Sequence, residues 1–372
     1  MEALVMGGSL RGAPLWAGRR VLVTGHTGFK GSWLSLWLHA LGAEVTGLAL
    51  PPPTDPSLFA AARLDELIDS VEGDVRDRDT VSAVVERCRP EIVFHLAAQP
   101  LVRLSYVEPV ETYDTNVMGT VHVLDAVRRT PGVAGVICVT SDKCYENREW
   151  DWPYRESDPM GGYDPYSSSK GCAELVVSAW RRSFFHKDGP GLASVRAGNV
   201  IGGGDWAEDR LVPDLVRAFE RGEAPVIRSP ASVRPWQHVL EALGGYMMIA
   251  QRLLDGERRF ADAWNFGPVD EDARPVRWIV DRMRAGWQDG VPSEVLDGGP
   301  RPHEAGLLRL DSSRARSMLG WRPSLRLDEA IAWIVDWHKR VGAGEDPRAV
   351  SLEQIAHYTA LASEAGVFAA AG

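Results

Sequence analysis

GHTGFKG, at residues 25–31, constrains the fold of this chain more than any other stretch. It follows RVLVT at 20–24, an apolar strand pattern, and leads into the amphipathic helix pattern SWLSLWLHALG. Gly25, Gly28 and Gly31 recur at every third position, and glycine lets such a tight turn bring its backbone close to a pyrophosphate. The amino terminus of the following helix can bind the anion through free N–H groups and the helix dipole. The stretch therefore predicts a dinucleotide site at the end of the first strand.

Strand and helix patterns alternate through the first half of the chain. After the first strand and helix, strands are predicted at AEVTGLAL, LIDSVEGD, EIVFHLAA, GVAGVICVTS and LASVRAGNV. Helices are predicted at RDTVSAVVERC, at TYDTNVMGTVHVLDAVRR and from 167 to about 186. Such alternation implies a parallel sheet with right-handed crossovers and helices on both faces.

After Gly202 the chain becomes rich in loops, with GGGDWAEDRLVPD, Pro-flanked segments and few strand patterns. We therefore predict an α/β fold, with a Rossmann-like doubly wound parallel sheet and a smaller, discontinuous substrate-binding cap. The predicted dinucleotide-binding domain spans 18–200, with parts of the later chain returning to it, and the cap lies mainly within 201–345. We expect 1–17 to be a lead-in and 346–372 to be a C-terminal tail.

The composition argues against several classes of protein. With 372 residues, 45% hydrophobic and 25% charged, the chain is typical of a soluble globular protein. The net charge of −10, with both signs mixed along the sequence, argues against a nucleic acid or an acidic membrane as partner. The four cysteines show no metal-binding spacing, so no metal site is predicted. The sequence has no apolar run of about 18 residues and no secretory signal pattern, so we expect a cytoplasmic protein without a membrane span.

YDPYSSSKGCAEL places Tyr166 and Lys170 near the start of a predicted helix. Residues at this spacing are just over one helical turn apart, so the two side chains lie on one face. An ammonium close to a phenol, with a cationic nicotinamide nearby, would lower the pKa of the tyrosine from about 10 toward working pH. In isolation the pair could be two exposed side chains. Beside a nucleotide turn, we interpret Tyr166 as a base for a carbinol and Lys170 as its partner.

VTSDKCY, at 139–145, contains a second candidate for chemistry. It continues a buried strand pattern, and such strands normally leave the sheet through Gly, Asn or Pro. This one leaves through Ser141, Asp142 and Lys143, which we call the acid–base segment. Ligands bind at the carboxyl ends of the strands in open α/β sheets. From the residues alone, the segment is either a group that exchanges protons with a ligand or a solvated turn.

Several motifs carry a resemblance to a known family. GHTGFKGSWL, TSDKCYEN, RAGNVIGGGDW and SVRPWQHVLEAL are similar to motifs of the short-chain dehydrogenase/reductase superfamily, within which the chain resembles the CDP-D-glucose 4,6-dehydratases. The resemblance extends from about 16 to about 340. It implies a lyase of deoxysugar biosynthesis that converts CDP-D-glucose to CDP-4-keto-6-deoxy-D-glucose and water by internal hydride transfer through NAD. The alternative within the same fold is another CDP-sugar-modifying enzyme, an epimerase or a reductase.

The resemblance also implies catalytic roles. Sugar-nucleotide 4,6-dehydratases carry Thr-Asp-Glu where this chain has Ser-Asp-Lys, a departure at the third position, and the Lys in place of Glu is part of the resemblance to the CDP-D-glucose enzymes. Ser141 would bond the substrate hydroxyl, and Asp142 would donate a proton to the hydroxyl that leaves carbon 6. Tyr166, beside Lys170, would take the proton of the hydroxyl on carbon 4. Lys143 is either the base that removes the hydrogen at carbon 5 or a charge that stabilises the enolate.

The resemblance assigns further residues to the cofactor, NAD. They follow the first, third and fourth strands or lie on the helix with the tyrosine, and they are Gly25, His26, Gly28, Phe29, Lys30, Gly31, Asp74, Val75, Leu96, Ala97, Ala98, Tyr166 and Lys170. No acidic residue follows the second strand directly, which ends in Leu48, Ala49 and Leu50, so the preference for NAD over NADP is weakly specified. His26 and Lys30 either add positive charge near a phosphate or face solvent.

The substrate contacts and the subunit contacts also come from the resemblance. Asn199, Arg234 and Arg301 would bind the nucleoside diphosphate of CDP-D-glucose, and the alternative for each arginine is a surface salt bridge. ENREWDWPYRESDP, at 146–159, is either a loop that covers the sugar or aromatic packing under a loop. A homodimer or homotetramer would form through the helix that carries Tyr166 and the helix before it.

Overall fold

Strands and helices alternate along the first half of the chain, as predicted. The computed structural model describes residues 13–186, 189–287, 292–297 and 306–364. The strands are β1 (Arg20–Thr24), β2 (Glu44–Ala49), β3 (Asp69–Glu72), β4 (Ile92–His95), β5 (Gly135–Val139), β6 (Gly191–Ala197), β7 (Val200–Ile201), β8 (Val226–Ile227), β9 (Val233–Pro235), β10 (Gln237–His238), β11 (Ala263–Phe266), β12 (Ala273–Pro275) and β13 (Val295–Leu296). The helices are α1 (Ala13–Trp16), α2 (Phe29–Ala40), α3 (Leu58–Ala61), α4 (Arg78–Cys88), α5 (Val102–Val107), α6 (Pro109–Tyr113), α7 (Gly119–Arg129), α8 (Pro165–Ser183), α9 (Leu211–Glu220), α10 (Val239–Leu254), α11 (Val276–Trp287), α12 (Leu327–Gly342) and α13 (Pro347–Glu364).

A parallel sheet occupies the centre of the molecule. Within the described residues it has seven strands, in the order β11-β6-β5-β4-β1-β2-β3. The chain runs outward from β1 to β3 and then returns to β4 on the other side of β1. The strand order therefore reverses between β1 and β4, and in such sheets ligands bind in the crevice at the carboxyl ends of the strands near that point. The predicted Rossmann-like, doubly wound fold is confirmed.

Apolar side chains cover both faces of the sheet. β4 and β5 are buried along their whole length, as expected of strands that lie between two helical layers. Helices α2 and α10 pack on one face, and α4, α7 and α8 pack on the other. No helix in the described ranges is both long and apolar enough to cross a membrane.

The later part of the chain contributes to two regions. Helices α9, α11 and α12 pack around Trp236 and Ile227 in an apolar cluster of their own, which forms the body of the cap. Helix α10 and strand β11 instead join the sheet, where β11 pairs in parallel with β6. The cap is therefore made of separated chain segments, as the sequence predicts.

Most of the segment expected as a C-terminal tail is helix α13, Pro347–Glu364. The ring of its Tyr358 lies 5.6 Å from the ring of Trp37 on α2, in an edge-to-face contact. The Tyr358 hydroxyl donates a hydrogen bond of 3.0 Å to the buried carboxylate of Glu241 on α10. Burial raises the pKa of Glu241 to about 7. Helix α13 thus supports α2, the helix that opens the predicted dinucleotide site.

Candidate active site

The glycine turn after β1 is packed so closely that two of its glycines have no room for a side chain. Gly25 has a φ of +76° and donates its N–H to the Leu48 carbonyl at 2.8 Å. A Cβ at Gly25 would lie 2.7 Å from the nitrogen of Ala97, and a Cβ at Gly31 would lie 2.0 Å from the Gly25 oxygen. These two glycines are required because the turn approaches β4 on one side and its own helix on the other.

Gly28 has a different environment from the other two glycines. A Cβ there would meet only the Gly25 oxygen, at 3.4 Å, which is ordinary contact. Gly28 is also the N-cap of α2, where no side chain caps the helix and no acidic residue lies in the first turn. The first N–H groups of α2 can therefore bind an anion by donating hydrogen bonds to it, and the missing side chain of Gly28 leaves room for the anion. The turn fits the pyrophosphate of a dinucleotide.

His26 is buried between β2 and β3. A Cβ on Gly47 of β2 would lie 2.3 Å from the His26 ring, and the His26 Nε2 is 2.8 Å from the Ser70 hydroxyl of β3. Burial lowers the pKa of His26 to about 4, so the ring is neutral at physiological pH. Both alternatives predicted for His26, a charge near a phosphate and a solvent-facing side chain, are therefore wrong.

Lys30 extends from the first turn of α2 toward the catalytic residues. It is half-buried, and burial together with the charges of Arg210 and Lys170 lowers its pKa to about 8. The carboxylates of Asp142 and Asp205 oppose this shift. The solvent-facing alternative is therefore wrong for Lys30, while its contact with a cofactor phosphate stays a prediction.

The other residues predicted for the cofactor follow β1, β3 and β4 at the same edge of the sheet. Phe29, Asp74, Leu96, Ala97 and Ala98 are half-buried, and Val75 is buried. The Asp74 carboxylate accepts a hydrogen bond of 2.8 Å from Nε of Arg76. Although burial acts to raise the pKa of Asp74, the bonds from Arg76 outweigh it and hold the pKa below its usual range. Asp74 is thus an anion at the rim of the crevice.

The start of α8 fixes the predicted Tyr-x-x-x-Lys pair. The Asp164 carboxylate caps the helix by accepting the N–H of Ser167 at 2.9 Å and its hydroxyl at 2.6 Å. Pro165 follows in the first turn, where its missing N–H costs nothing. Tyr166 and Lys170 are both buried, and Lys170 Nζ donates to the Val139 carbonyl at 3.4 Å. The pair therefore faces the end of β5 rather than solvent.

Burial shifts the pKa values of the pair toward the neutral forms. It raises the pKa of Tyr166 to about 12 and lowers the pKa of Lys170 to about 8. The Ser141 side chain interacts with the Tyr166 phenol and lowers its pKa against the effect of burial. The chain alone does not lower the pKa of Tyr166 below 10, so the predicted lowering would depend on the charge of the nicotinamide.

The acid–base segment follows β5 directly and forms a 3₁₀ turn that ends at Cys144. The Ser141 hydroxyl accepts the N–H of Lys143 at 3.2 Å and donates to Oδ1 of Asp142 at 3.0 Å. Ser141 and Asp142 are buried, and Lys143 is half-buried. The alternative that the segment is a solvated turn is therefore wrong.

Asp142 has the environment of a proton donor. Its side chain is buried, with the residue 3% exposed. Burial raises the pKa of Asp142 against the charge of Lys143 and the hydrogen bond from Ser141. Among the described residues nothing hydrogen-bonds its Oδ2 atom. A carboxylic acid with a raised pKa and an unpaired oxygen can hold a proton and give it to a ligand hydroxyl.

Asn199, after β6 of the sheet, and Arg234, on β9, lie close to the acid–base segment. Asn199 follows β6, and a Cβ on its neighbour Gly198 would lie 2.4 Å from Pro235 and 3.2 Å from Oδ2 of Asp142. This glycine lets the end of β6, strand β9 and the segment meet. Arg234 on β9 is buried, and its charge lowers the pKa of Asp142 against burial. The structure thus brings two of the three predicted substrate residues to the same place.

Arg301, the third predicted substrate residue, lies outside the described residues. Sequence reasoning missed another arginine at the site, Arg210. Its guanidinium forms an ion pair of 3.0 Å with the buried Asp205, and its charge acts against the burial that raises the pKa of Tyr166. Arg210 lies in the loop between β7 and α9, where no periodic pattern shows which side chains turn toward the sheet.

The aromatic side chains of the loop at 146–159 differ in their environment, so the two predicted roles apply to different residues of the loop. The ring of the buried Tyr154 stacks between the rings of Tyr145, at 5.2 Å, and Trp150, at 5.4 Å. Tyr154 and Trp150 are therefore packing residues. Trp152 is exposed, so it is the aromatic side chain of this loop that is free to cover a ligand.

Comparison with known proteins places the chain in a family. Residues 22–334 match the family model described as GDP-mannose 4,6 dehydratase. The chain belongs to this dehydratase family. CDP-glucose 4,6-dehydratase of Salmonella typhimurium is 58% identical over 348 residues, which are 92% of this chain and 97% of that protein. The predicted resemblance to these dehydratases is confirmed.

Solved structures of two activities share the fold. A dTDP-glucose 4,6-dehydratase from Streptomyces venezuelae, with NAD bound, has a TM-score of 0.72 and 24% identity, covering 88% of this chain and 99% of that one. A UDP-glucose 4-epimerase from Thermotoga maritima, with UDP-glucose bound, has a TM-score of 0.72 and 23% identity, covering 86% and 99%. At this identity the structures of dehydratase and epimerase support the fold alone.

Proposed function

We propose that this protein is a CDP-D-glucose 4,6-dehydratase, a lyase that converts CDP-D-glucose to CDP-4-keto-6-deoxy-D-glucose and water with NAD as cofactor. The relative that is 58% identical carries this name and is matched over nearly its whole length. The glycine turn fits a dinucleotide, and Asn199 and Arg234 lie where a nucleotide sugar would reach the acid–base segment. Arg301 is proposed as a further contact to the diphosphate.

One observation carries the proposal, and it is the buried Asp142 beside Ser141 and Tyr166. An enzyme that only oxidises or epimerises carbon 4 needs the tyrosine and a hydroxyl partner. It does not need a buried carboxylic acid after β5 with an oxygen that no described residue hydrogen-bonds. Loss of water from carbon 6 does need such a group, because hydroxide is a poor leaving group until it is protonated. The acid therefore favours the dehydratase over the epimerase or reductase.

The chain supplies the proton transfers. Held at the turn of Gly25, Gly28 and Gly31, NAD would supply a hydride acceptor for carbon 4 and the hydride for carbon 6. Ser141 holds the carbon 4 hydroxyl, and Tyr166 takes its proton with the Lys170 ammonium nearby. Asp142 then protonates the hydroxyl that leaves carbon 6.

Lys143 supplies the remaining function at carbon 5, in one of two ways. As a neutral amine it removes the carbon 5 proton, which the carbon 4 ketone has made acidic, and its ammonium form returns a proton to carbon 5 when hydride reaches carbon 6. As an ammonium it stabilises the enolate while another group takes the proton. Its half-buried place next to Asp142 is compatible with both roles.

The assembly is proposed to be a homodimer or homotetramer in the cytoplasm. Large apolar side chains are exposed on the helices that carry or precede Tyr166: Val107 is 72% exposed, Val110 81% and Leu175 60%. These residues lie on α5, α6 and α8. An apolar surface of this kind supports subunit contact through α8 and the helices before it.

The function is tested with purified protein, NAD and CDP-D-glucose. The expected product is a 4-keto-6-deoxy sugar, seen by its near-ultraviolet absorbance in alkali, with no net change in reduced nicotinamide. UDP-, GDP- and dTDP-glucose serve as matched controls for the base. A rise in reduced nicotinamide equal to the sugar consumed would show a simple dehydrogenase and refute the proposal.

A further inference from the structure

Glu174 and Arg196 form a buried ion pair behind the catalytic residues. The side chain of each is 4% exposed, and the Arg196 guanidinium meets the carboxylate with Nε at 2.9 Å and a terminal nitrogen at 2.7 Å. Glu174 lies on α8, one turn after Lys170 and on the same face as Tyr166. Arg196 lies on β6. The pair therefore ties the helix that carries the catalytic tyrosine to the sheet.

Thr140, immediately before the acid–base segment, and Tyr145, two residues after it, both bond to this ion pair. Thr140, just before the segment, donates its hydroxyl to Oε1 of Glu174 at 2.5 Å. Tyr145, which follows the 3₁₀ turn, accepts a terminal N–H of Arg196 at 2.6 Å. The Tyr145 hydroxyl then donates to Oδ1 of Asn265 on β11 at 2.8 Å. The segment is thus held at both ends by one pair of charges.

We propose that Glu174 and Arg196 are positioning residues that fix the acid–base segment relative to Tyr166 and Lys170. The inference rests on the proposed function, since it concerns how the residues for elimination are held in place relative to the residues for oxidation. Among the described residues, neither member of the pair hydrogen-bonds to a reacting group, although the charge of Glu174 acts to raise the pKa of Lys170 against burial. The pair acts through Thr140 and Tyr145.

The hydrogen-bond pattern favours positioning over a contribution to stability alone. Two charges in an apolar interior lose much hydration, so a buried ion pair gives little net stability even where it fixes one arrangement. Within the described residues, each oxygen of Glu174 accepts one hydroxyl and one guanidinium N–H, the second hydroxyl coming from Ser194 on β6. A carboxylate satisfied in this way has one low-energy orientation.

The two parts of the proposed reaction, oxidation at carbon 4 and elimination of water, depend on the ion pair of Glu174 and Arg196 to different degrees. Tyr166 is held by the capped first turn of α8, and the Ser141 side chain, although part of the segment, interacts directly with the Tyr166 phenol. Asp142 and Lys143 lie in a short turn whose placement depends on its two ends. Loosening either end should therefore slow elimination more than the first oxidation.

The test compares three substitutions that each remove one hydroxyl. Thr140→Val removes the hydrogen bond to Glu174 that holds the chain before Ser141. Tyr145→Phe removes the hydrogen bond from Arg196 that holds the chain after the 3₁₀ turn. Ser194→Ala is the matched control, because the Ser194 hydroxyl donates to Oε2 of the same carboxylate at 2.7 Å but does not adjoin the segment. Glu174→Gln is less suitable, since it leaves the Arg196 charge buried opposite a neutral amide and can prevent folding.

The readouts are reduced nicotinamide in single turnovers with CDP-D-glucose, deuterium exchange at carbon 5, and thermal unfolding. We expect Thr140→Val and Tyr145→Phe to accumulate reduced nicotinamide, with elimination slowed about tenfold to about 100-fold and carbon 5 exchange slowed with it. Ser194→Ala should eliminate water at the parent rate, even if its melting temperature falls as much as the melting temperatures of Thr140→Val and Tyr145→Phe. Equal effects in Thr140→Val and Ser194→Ala, or no accumulation in either flanking variant, would overturn the inference. A parent protein that leaves CDP-D-glucose unchanged would instead refute the proposed function, and the inference with it.

Discussion

Replacing Asp142 by Asn removes the proposed proton donor and little else. The amide has the shape of the acid, and its oxygen can still accept the Ser141 hydroxyl, which is 3.0 Å from Oδ1 in the parent. Burial raises the pKa of Asp142 and so reduces the difference in charge between the parent side chain and the amide. The free energy of unfolding should therefore change by less than about 1 kcal/mol. A loss of activity in this variant cannot be assigned to unfolding.

The expected loss falls on one step. Removing a general acid costs about 10²- to 10⁴-fold, which corresponds to about 2.7 to 5.4 kcal/mol of activation free energy. Ser141, Tyr166 and Lys170 are unchanged, so carbon 4 should still be oxidised. Because the hydroxyl on carbon 6 cannot leave, hydride cannot return, and reduced nicotinamide should build up on the enzyme.

Single turnovers with CDP-D-glucose measure this directly. Near-ultraviolet absorbance follows reduced nicotinamide, and chemical quenching follows the 4-keto-6-deoxy product. In the parent, elimination should slow as the pH rises through the raised pKa of Asp142, because the proton-bearing form is lost. That pH dependence should vanish in Asp142→Asn. Turnover of this variant at the parent rate would mean that another group protonates the leaving hydroxyl.

Further substitutions and conditions test the other groups. Tyr166→Phe should lose the first oxidation by about 10²- to 10⁴-fold, and parent-like rates would make the tyrosine structural only. Lys143→Met should abolish deuterium exchange at carbon 5 if the amine is the base, but only slow it if the ammonium stabilises the enolate. Activity of the purified protein should rise on adding NAD, because no carboxylate directly follows β2 to hold the ribose, and full retention of NAD through purification would contradict this. Stability should fall by about 1 kcal/mol between about pH 6 and about pH 8 as the folded protein loses the proton of Glu241, whose pKa burial raises to about 7. Glu241→Gln should remove this dependence in denaturant titrations, and an unchanged pH slope would contradict the assignment.

Local patterns predicted the fold where they were strong. β1 and α4 begin and end where RVLVT and RDTVSAVVERC do, since each is an apolar pattern with clear boundaries, and Asp77 caps α4. Helix α13 has no such pattern, because its buried face includes Ser351, Gln354 and Thr359 among the apolar residues. The sequence also did not predict β11, whose four residues, AWNF, join the sheet only through pairing with a distant strand.

The candidate site shows the same division between local and distant information. Residues placed by a strand end or a helical repeat, such as Ser141, Tyr166 and Lys170, are found at the predicted edge of the sheet. The role of His26 could not be read, because it depends on Gly47 in the next strand. The ion pair of Glu174 and Arg196 depends on α8 crossing β6, although the spacing from Lys170 to Glu174 already places the carboxylate on the catalytic face.

The contact between α13 and α2 also bears on how the chain is made. Helix α2, which follows the dinucleotide turn, is synthesised long before α13, the helix whose Tyr358 packs against Trp37. A nascent chain therefore exposes part of the apolar back of α2 until α13 has been made, however early the sheet forms. A chain terminated at Arg340 would carry every proposed catalytic residue and still lack Tyr358 against that helix. A helix made late in synthesis thus supports a turn, proposed to bind the cofactor, that is made early.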